Sequence, residues 1–237
     1  MNIEFEIIRY LNEYARAYPK FDILINFICH NHLFKGGILM LLVYWLWFRR
    51  SDAIQYIREH IIMLLISSVV SLFFVRAIVL FLPFRSRPIH NPDIEFILPV
   101  GALPIMETWT SFPSDHAVLF FTIATGLWFI FNEMKLRVVG VGIYLYVVLV
   151  ILFPRVYLGL HFPSDIFFGA LGGGIIAYAL RTERLRAIIT HSVLKYEGQA
   201  PGVFYSAFFF ITFQIAIMFD PFREIAEFIL KSLRSFI

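Results

Sequence analysis

Residues 138–165 read VVGVGIYLYVVLVILFPRVYLGLHFPSD, an apolar run that ends in a short segment containing Arg155, His161 and Asp165. The chain is 59% hydrophobic and 16% charged, whereas a soluble domain has about a quarter of its residues charged. Only helices and closed barrels satisfy the backbone in lipid, and the run is continuous rather than alternating. It therefore predicts a membrane-spanning helix. Ionisable groups at the end of such a run are typical of a functional site, although they could also mark where two helices meet lipid headgroups.

Similar apolar runs recur along the chain and predict an all-α, polytopic membrane protein, a six-transmembrane helix bundle. The spans are expected at about residues 33–48, 61–82, 116–131, 138–153, 163–180 and 203–219. The connection at residues 83–115 is unusually apolar for a loop, so we expect it to lie in the membrane interface. Residues 181–202 are expected to form a polar, basic connection.

Both ends of the chain are predicted to be interfacial amphipathic helices that flank a catalytic core at residues 33–219 within one domain, 1–237. The first covers residues 1–31, with Pro19 expected to end it, and the second covers residues 220–237. Residues 1–20 are mixed and charged and do not resemble a signal peptide. The internal spans are therefore expected to direct membrane insertion.

Composition narrows the classes of partner. The only cysteine is Cys29, so no intramolecular disulfide can form and a cysteine metal site is unsupported. The net charge of +3 gives no sign of nucleic-acid binding. Four arginines that could belong to a functional site, Arg76, Arg85, Arg87 and Arg155, are left out of the charge count. Of the other basic residues, nine lie in the connections after spans one, three and five, and seven lie on the opposite side of the membrane. This difference favours a cytoplasmic position for the short connections. The expected partners are the bilayer and a membrane lipid substrate, and the oligomeric state is left open.

Three polar clusters fall on one side of the membrane in the six-span arrangement. They are Arg85-Ser86-Arg87-Pro88 after the second span, residues 111–116 before the third, and residues 155–165 between the fourth and fifth. Folding of the bundle can bring them together. His161 and Asp165 are four residues apart and would share one face of a helix, where the carboxylate could orient the imidazole.

These residues resemble the type 2 phosphatidic acid phosphatase superfamily, which also includes vanadium haloperoxidases and bacterial acid phosphatases. The matching stretches are Arg87-Pro88, Pro113-Ser114-Asp115-His116, and Pro154-Arg155 followed at the family's spacing by His161 and Asp165. Asp115 stands where the family has glycine, and Pro154 where it has serine. The resemblance covers about residues 33–219, and the Pro-Ser-Asp-His form is similar to a bacterial subset that acts on undecaprenyl pyrophosphate.

One position departs from the family pattern. The family places a lysine seven residues before the arginine of its Arg-Pro pair, and here that position is Leu80. Arg85, in the loop, and Arg76, one helical turn before Leu80, are the two cations that could replace it. We favour Arg85 as the main replacement and leave both open.

The resemblance and the chemistry of phosphoryl transfer imply the same roles. His161 is the candidate nucleophile and would form a phosphohistidine, Asp165 would orient it, and His116 would protonate the leaving oxygen. Arg87 and Arg155 would clamp the phosphate oxygens.

Further donors and the cofactor requirement follow from the same comparison. Ser114 and backbone amides at the start of the third span, including that of Asp115, would add hydrogen-bond donors, although Ser114 could equally cap the helix. Glu107 could touch the substrate from the long loop. The chemistry requires no metal and no cofactor.

The expected function is an integral-membrane lipid phosphatase that hydrolyses a phosphomonoester or pyrophosphate of a membrane lipid. Candidate substrates are polyprenyl pyrophosphate, phosphatidic acid and phosphatidylglycerol phosphate. The alternatives are a phosphotransferase using the same site, and a non-catalytic protein that binds or transports lipid phosphates. The expected location is a bacterial inner membrane, with the site on the periplasmic or extracellular face.

Overall fold

The computed structural model describes residues 3–103 and 110–234, and the regular structure of these residues is helical throughout. The helices are α1 (Ile3–Asn12), α2 (Pro19–His30), α3 (Ile38–Phe48), α4 (Ile54–Val79), α5 (Asp115–Glu133), α6 (Arg137–Tyr146), α7 (Phe153–Tyr157), α8 (Pro163–Leu180), α9 (Glu183–Gln199), α10 (Pro201–Ala216) and α11 (Asp220–Arg234). A π-helical turn, Leu33–Gly37, precedes α3, and a second, Val147–Leu152, joins α6 to α7. A 3₁₀ turn spans Pro88–His90.

Four helices in the described residues are long and apolar enough to cross a membrane: α4, α5, α8 and the continuous helix Arg137–Tyr157. Helix α2 and the segment Leu33–Phe48 meet at a 66° bend and pass the same test only as a pair. Helix α10 is apolar but shorter. The predicted all-helical membrane fold is therefore confirmed, with four or five spanning helices by length and composition.

Two segments differ from the expectation. Residues 1–31 form two helices within their described part, and Pro19 begins α2 where it was expected to end the first helix. Proline lacks the N–H that the first turn of a helix does not use, so it fits a helix start. The expected polar connection is mostly the 17-residue helix α9. Its Glu, Arg, Leu and Lys residues are good helix formers, although they make no apolar run.

Helix α5 lies at the centre of the bundle and packs against α4, α6 and α8. Its side chains Leu119, Phe120, Ile123 and Leu127 have no exposed surface. At the N-terminal end of α5, Ser114 is buried and Asp115 and His116 are partly buried. This is the end at which the candidate catalytic residues lie.

Helices α5 and α8 approach each other closely along a stripe of small residues. A methyl group added to Gly169 would lie 2.7 Å from the carbonyl oxygen of Ser114, and one added to Gly173 would lie 2.1 Å from that of Val118. The same methyl at Gly172 would meet nothing within 4 Å, so only one face of α8 requires glycine. The close approach sets the first turn of α5 beside the first turn of α8.

The connection between α4 and α5 packs on the N-terminal helix. The side-chain amide of Asn12 pairs with the backbone of Ile97 through two hydrogen bonds of 2.7 Å. Ile94 is buried with Ile8 and Phe162. Helix α1 therefore holds the described part of this loop over the end of the bundle that carries the polar clusters.

Candidate active site

Backbone hydrogen bonds join the three polar clusters, which are far apart in sequence. The N–H of Ser111 donates to the carbonyl of Arg85 at 2.8 Å. The N–H of Ser114 donates to the carbonyl of Asp165 at 3.2 Å. The predicted convergence of the clusters is therefore present in the structure.

A tight turn after α7 places His161. Gly159 has φ of +69°, a conformation that L side chains rarely adopt, and an added methyl would lie 2.6 Å from the ring of Phe96. Its carbonyl accepts a hydrogen bond of 3.0 Å from the N–H of Ile89, which ties the turn to the Arg-Pro loop. The N–H of His161 donates to the carbonyl of Arg155 at 3.3 Å. The turn thus fixes the backbone of His161 at the end of α7.

His161 and Asp165 do not share a helical face, which corrects the prediction from their spacing. Helix α8 begins at Pro163, so His161 precedes the helix and Asp165 lies in its first turn. The prediction assumed that both residues lie in one continuous helix. Pro163 occupies the first helical position, so the helix starts after His161. The Nδ1 atom of His161 and Oδ2 of Asp165 are 3.8 Å apart, which is longer than a hydrogen bond.

The backbone carbonyl of Ser111 is the group that orients His161. It lies 2.9 Å from Nδ1, and a carbonyl oxygen can only accept, so Nδ1 carries the proton. The other ring nitrogen, Nε2, therefore has the lone pair that a nucleophile needs. Burial, and then the guanidinium groups of Arg155 and Arg87, lower the pKa of His161 to about 3, which keeps the ring neutral near pH 7.

Asp165 acts on this arrangement through Ser111. Its carboxylate is fully buried and accepts from the N–H of Phe162 at 2.7 Å, from the hydroxyl of Ser111, and from Nη1 of Arg85 at 2.6 Å. It thereby holds Ser111, whose carbonyl orients His161. The sequence placed Ser111 in the second cluster but assigned it no role, because a backbone carbonyl leaves no signature in residue identity.

Arg85 is held by carboxylates. Its guanidinium bonds Asp165, the hydroxyl of Ser164 at 2.9 Å and the carboxylate of Glu4 on α1. It also lies over the ring of Phe162, 4.3 Å from the ring centre. This geometry makes Arg85 the partner of Asp165 and does not support the hypothesis that Arg85 supplies the missing phosphate contact.

Arg76 is the second cation that could replace the family lysine, and Leu80 occupies that lysine's position. Arg76 lies in the last turn of α4, and its Nη2 donates to the carbonyl of Met218 at 3.0 Å, in the turn after α10. Leu80 is 75% exposed and apolar. The hydrogen bond of Arg76 to Met218 is with the backbone and does not involve His161 or His116.

The start of α5 forms a second oriented imidazole. The Nδ1 atom and the backbone N–H of His116 each lie 2.8 Å from Oδ1 of Asp115. Nε2 of His116 is buried and has no hydrogen-bond partner within the described part of the chain. The side chain of Asp115 therefore orients His116, whereas the sequence suggested only a backbone role. Ser114 accepts a bond of 3.3 Å from the N–H of Ala117 and caps the helix.

Two arginines complete the cluster around the imidazoles. Arg155 lies in α7 and is 8% exposed, and its Nε lacks a hydrogen-bond partner among residues 3–103 and 110–234. Arg87 precedes the 3₁₀ turn in an extended conformation. Both are charged neighbours of His161, and Arg155 is also one of His116. Buried atoms without partners beside two cations and a free ring nitrogen suit an anionic ligand such as phosphate.

Glu107, which was expected to touch the substrate, lies outside the described residues. Within them, no group of three or more His, Cys, Asp or Glu side chains is placed to hold a metal ion.

The fold and these residues define a class of protein: an all-helical membrane protein whose buried polar cluster has the composition of a phosphoryl-transfer site. The chain belongs to the PAP2 superfamily, which it matches over residues 62–188, more than half its length. This confirms the resemblance seen in the sequence. Membership of the family, together with the apolar helices, supports a membrane phosphatase of lipid phosphates. No curated protein matches the chain.

Two solved structures are similar. The crystal structure of Aquifex aeolicus LpxE is 25% identical, with a TM-score of 0.54, and the match covers 76% of this chain and 94% of that one. The crystal structure of a transmembrane PAP2 type phosphatidylglycerolphosphate phosphatase from Bacillus subtilis is 18% identical, with a TM-score of 0.47, over 76% of this chain and 86% of that one. The first likeness supports the fold.

Proposed function

We propose that the chain is a lipid phosphatase that hydrolyses a phosphomonoester or pyrophosphate of a membrane lipid through a phosphohistidine at His161. The observation that carries this proposal is the hydrogen bond of 2.9 Å from Nδ1 of His161 to the carbonyl of Ser111. It leaves Nε2 unprotonated beside Arg87 and Arg155, which is what attack on a phosphate requires.

In the first step, Nε2 of His161 forms a bond to phosphorus while the bond from phosphorus to the leaving oxygen breaks. The bonding electron pair goes to that oxygen, which takes a proton from Nε2 of His116. Arg87 and Arg155 balance the charge on the phosphoryl oxygens. Asp115, 2.8 Å from Nδ1 of His116, stabilises the protonated ring from which the proton is given.

In the second step, water attacks the phosphohistidine and gives its proton to His116, which is now neutral. The bond from Nε2 to phosphorus breaks, inorganic phosphate leaves, and both imidazoles return to their starting states. The carbonyl of Ser111 holds Nδ1–H throughout, and Asp165 at 3.8 Å stabilises the charged ring of the intermediate. The residues supply a nucleophile, an acid and two cations, so the proposal includes no metal and no cofactor.

A lipid substrate is favoured by exposed apolar side chains beside the arginines. Leu80, Phe81 and Phe84, immediately before Arg85 and Arg87, are 75%, 86% and 61% exposed. Apolar side chains exposed on a membrane protein face the bilayer, so this end of α4 puts lipid chains next to the loop that carries Arg87. The proposed substrates are a polyprenyl pyrophosphate such as undecaprenyl pyrophosphate, phosphatidic acid, or phosphatidylglycerol phosphate.

The proposed topology has six spans, with the bent segment α2–α3 as the first and α10 as the last. The helices at both ends of the chain would then lie in the interface on one side. The charge count favours the side opposite the short basic connections for the site, which would be the periplasmic or extracellular face if the membrane is a bacterial inner membrane.

A phosphate-release panel tests the function. The purified protein in detergent is given polyprenyl pyrophosphate, phosphatidic acid and phosphatidylglycerol phosphate with a chelator present throughout. We expect release of inorganic phosphate from at least one lipid and none with His161→Ala. Transfer of the phosphoryl group to an added alcohol in place of release would identify a phosphotransferase. Tight binding of the lipids without either reaction would contradict the proposal.

A further inference from the structure

Lys35 is a buried cation that the mechanism above does not use. It is the central residue of the π-helical turn Leu33–Gly37 and is only 7% exposed. Its ammonium makes no hydrogen bond or ion pair with any residue in the ranges 3–103 and 110–234. An ammonium carries three strong donors, and a largely buried lysine needs water or an anion to satisfy them. A group outside this set of residues is therefore expected to meet it.

The charged surroundings of Lys35 are those of the candidate site. Arg155 acts on its ammonium as a like charge, with the carboxylates of Asp220 and Asp115 as opposite charges. Lys35 is in turn one of the charged neighbours of His116. Of the two carboxylates, Asp115 is already bonded to the ring of His116. Two buried cations at this end of the bundle repel each other unless an anion lies between them.

The backbone holds Lys35 in place from several sides. Its N–H donates to the carbonyl of Asn31 at 3.2 Å, and the hydroxyl of Tyr146 donates to the carbonyl of Phe34. A methyl group added to Gly36 would lie 2.4 Å from the backbone of Ala216, so the turn is pressed against α10.

The two π-helical turns face each other. The turn that contains Lys35 packs against Val147–Leu152, the turn that leads to Arg155 through α7. A π-helical turn adds a residue to the helical register, and such turns are frequent at functional sites. The packing of the two turns brings Lys35 within electrostatic reach of Arg155, which lies one helical segment after the second turn.

We propose that Lys35 binds the substrate phosphate as the third cation of the site, beside Arg155 and Arg87. This rests on the proposed phosphatase function. A phosphomonoester carries up to two negative charges, and its transition state spreads charge over the phosphoryl oxygens, so a third cation can be accommodated. The other candidates are engaged elsewhere, since Arg85 is held by two carboxylates and Arg76 donates to a backbone carbonyl. Lys35 precedes the residues matched by the family, so no family motif assigns it.

The test compares Lys35→Met, which keeps the length of the stem, with Lys35→Arg, which keeps the charge, and with Lys20→Met at an exposed lysine of α2. Orthovanadate and inorganic phosphate serve as probes of binding. We expect Lys35→Met to weaken inhibition by both probes at least tenfold and to lower kcat/KM by a hundredfold or more. Lys35→Arg should recover part of the loss, and Lys20→Met should match the wild type.

Thermal unfolding of the ligand-free proteins separates binding from a structural role. Lys35→Met should unfold at the wild-type temperature or above, because it removes a largely buried charge that has no partner among the described residues. Should that variant fail to fold, Lys35→Gln replaces it with the same expectations for the probes. Wild-type affinity for vanadate and phosphate in a folded Lys35 variant would overturn the assignment. If the wild type binds the probes but hydrolyses no lipid, the phosphatase proposal fails, and the probe affinities still decide the role of Lys35.

Discussion

Replacing Gly173 with alanine should separate the two helices that carry the candidate site. The added methyl would lie 2.1 Å from the carbonyl oxygen of Val118, whereas real contacts of this kind are essentially never below 3.0 Å. Helix α5 must therefore move away from α8 by roughly 1 Å, since backbone atoms cannot rotate aside as a side chain can. Val118 is two residues from His116, so the shift reaches the proposed acid.

The expected magnitudes follow from this displacement. Overpacking of this kind costs about 1–3 kcal/mol, and the gain in helix propensity from glycine to alanine returns about 0.5–1 kcal/mol. A shift of about 1 Å between catalytic groups can lower the rate by about a hundredfold. Gly173→Ala should thus unfold at a lower temperature and lose between tenfold and a hundredfold in kcat.

Gly172→Ala is the matched control, one residue away on the same helix. Its methyl would meet nothing within 4 Å, so its stability and activity should equal or slightly exceed those of the wild type. Both variants are assayed for thermal unfolding in detergent and for phosphate release from one lipid. Equal behaviour of the two variants would refute the close packing of α5 on α8 as the element that sets the site.

Two further predictions concern Asp165 and His161. Arg85→Ala removes the cation from the fully buried carboxylate of Asp165 and should lower the free energy of unfolding by about 3 kcal/mol. Glu4→Gln changes the more exposed partner of the same arginine and should lower it by about 1 kcal/mol or less. Equal unfolding temperatures of the two variants would count against the ion pair between Arg85 and Asp165. Because the pKa of His161 is about 3 in the folded chain and near 6.5 when unfolded, only the unfolded chain takes up this proton as the pH falls below 6.5. As the pH falls from 6 to 4, the free energy of unfolding of the wild type should fall relative to that of His161→Gln by about 1.4 kcal/mol per pH unit. A difference between the two proteins that is the same at pH 6 and pH 5 would contradict this.

The parts of the fold that the sequence predicts are those governed by local pattern. Pro163 marks the start of α8 because proline fits the first turn, and the long apolar runs mark the spans. The convergence of the polar clusters follows from placing their loops on one side of the bundle. The family motifs then identify the two histidines and two arginines that the structure brings together.

The remaining parts depend on contacts that residue spacing does not reveal. Arg85 was favoured as a phosphate ligand, but its partner Glu4 is 81 residues away on a helix whose position the sequence does not give. The orientation of His161 by Ser111 uses a backbone atom, which any residue would supply. Lys35 belongs to no motif, and its burial in the π-helical turn that packs on Val147–Leu152 follows from tertiary packing rather than from residue spacing.

The central claim is a covalent bond between Nε2 of His161 and the substrate phosphorus. It is tested most directly by mixing the protein with a lipid substrate labelled in its phosphate, stopping the reaction within one turnover, and locating the label by mass spectrometry under alkaline conditions, in which phosphohistidine survives. The account predicts label on His161 that appears before free phosphate and none in His161→Ala. Release of phosphate within the same turnover with no label on the protein, or with label on another residue, would contradict it.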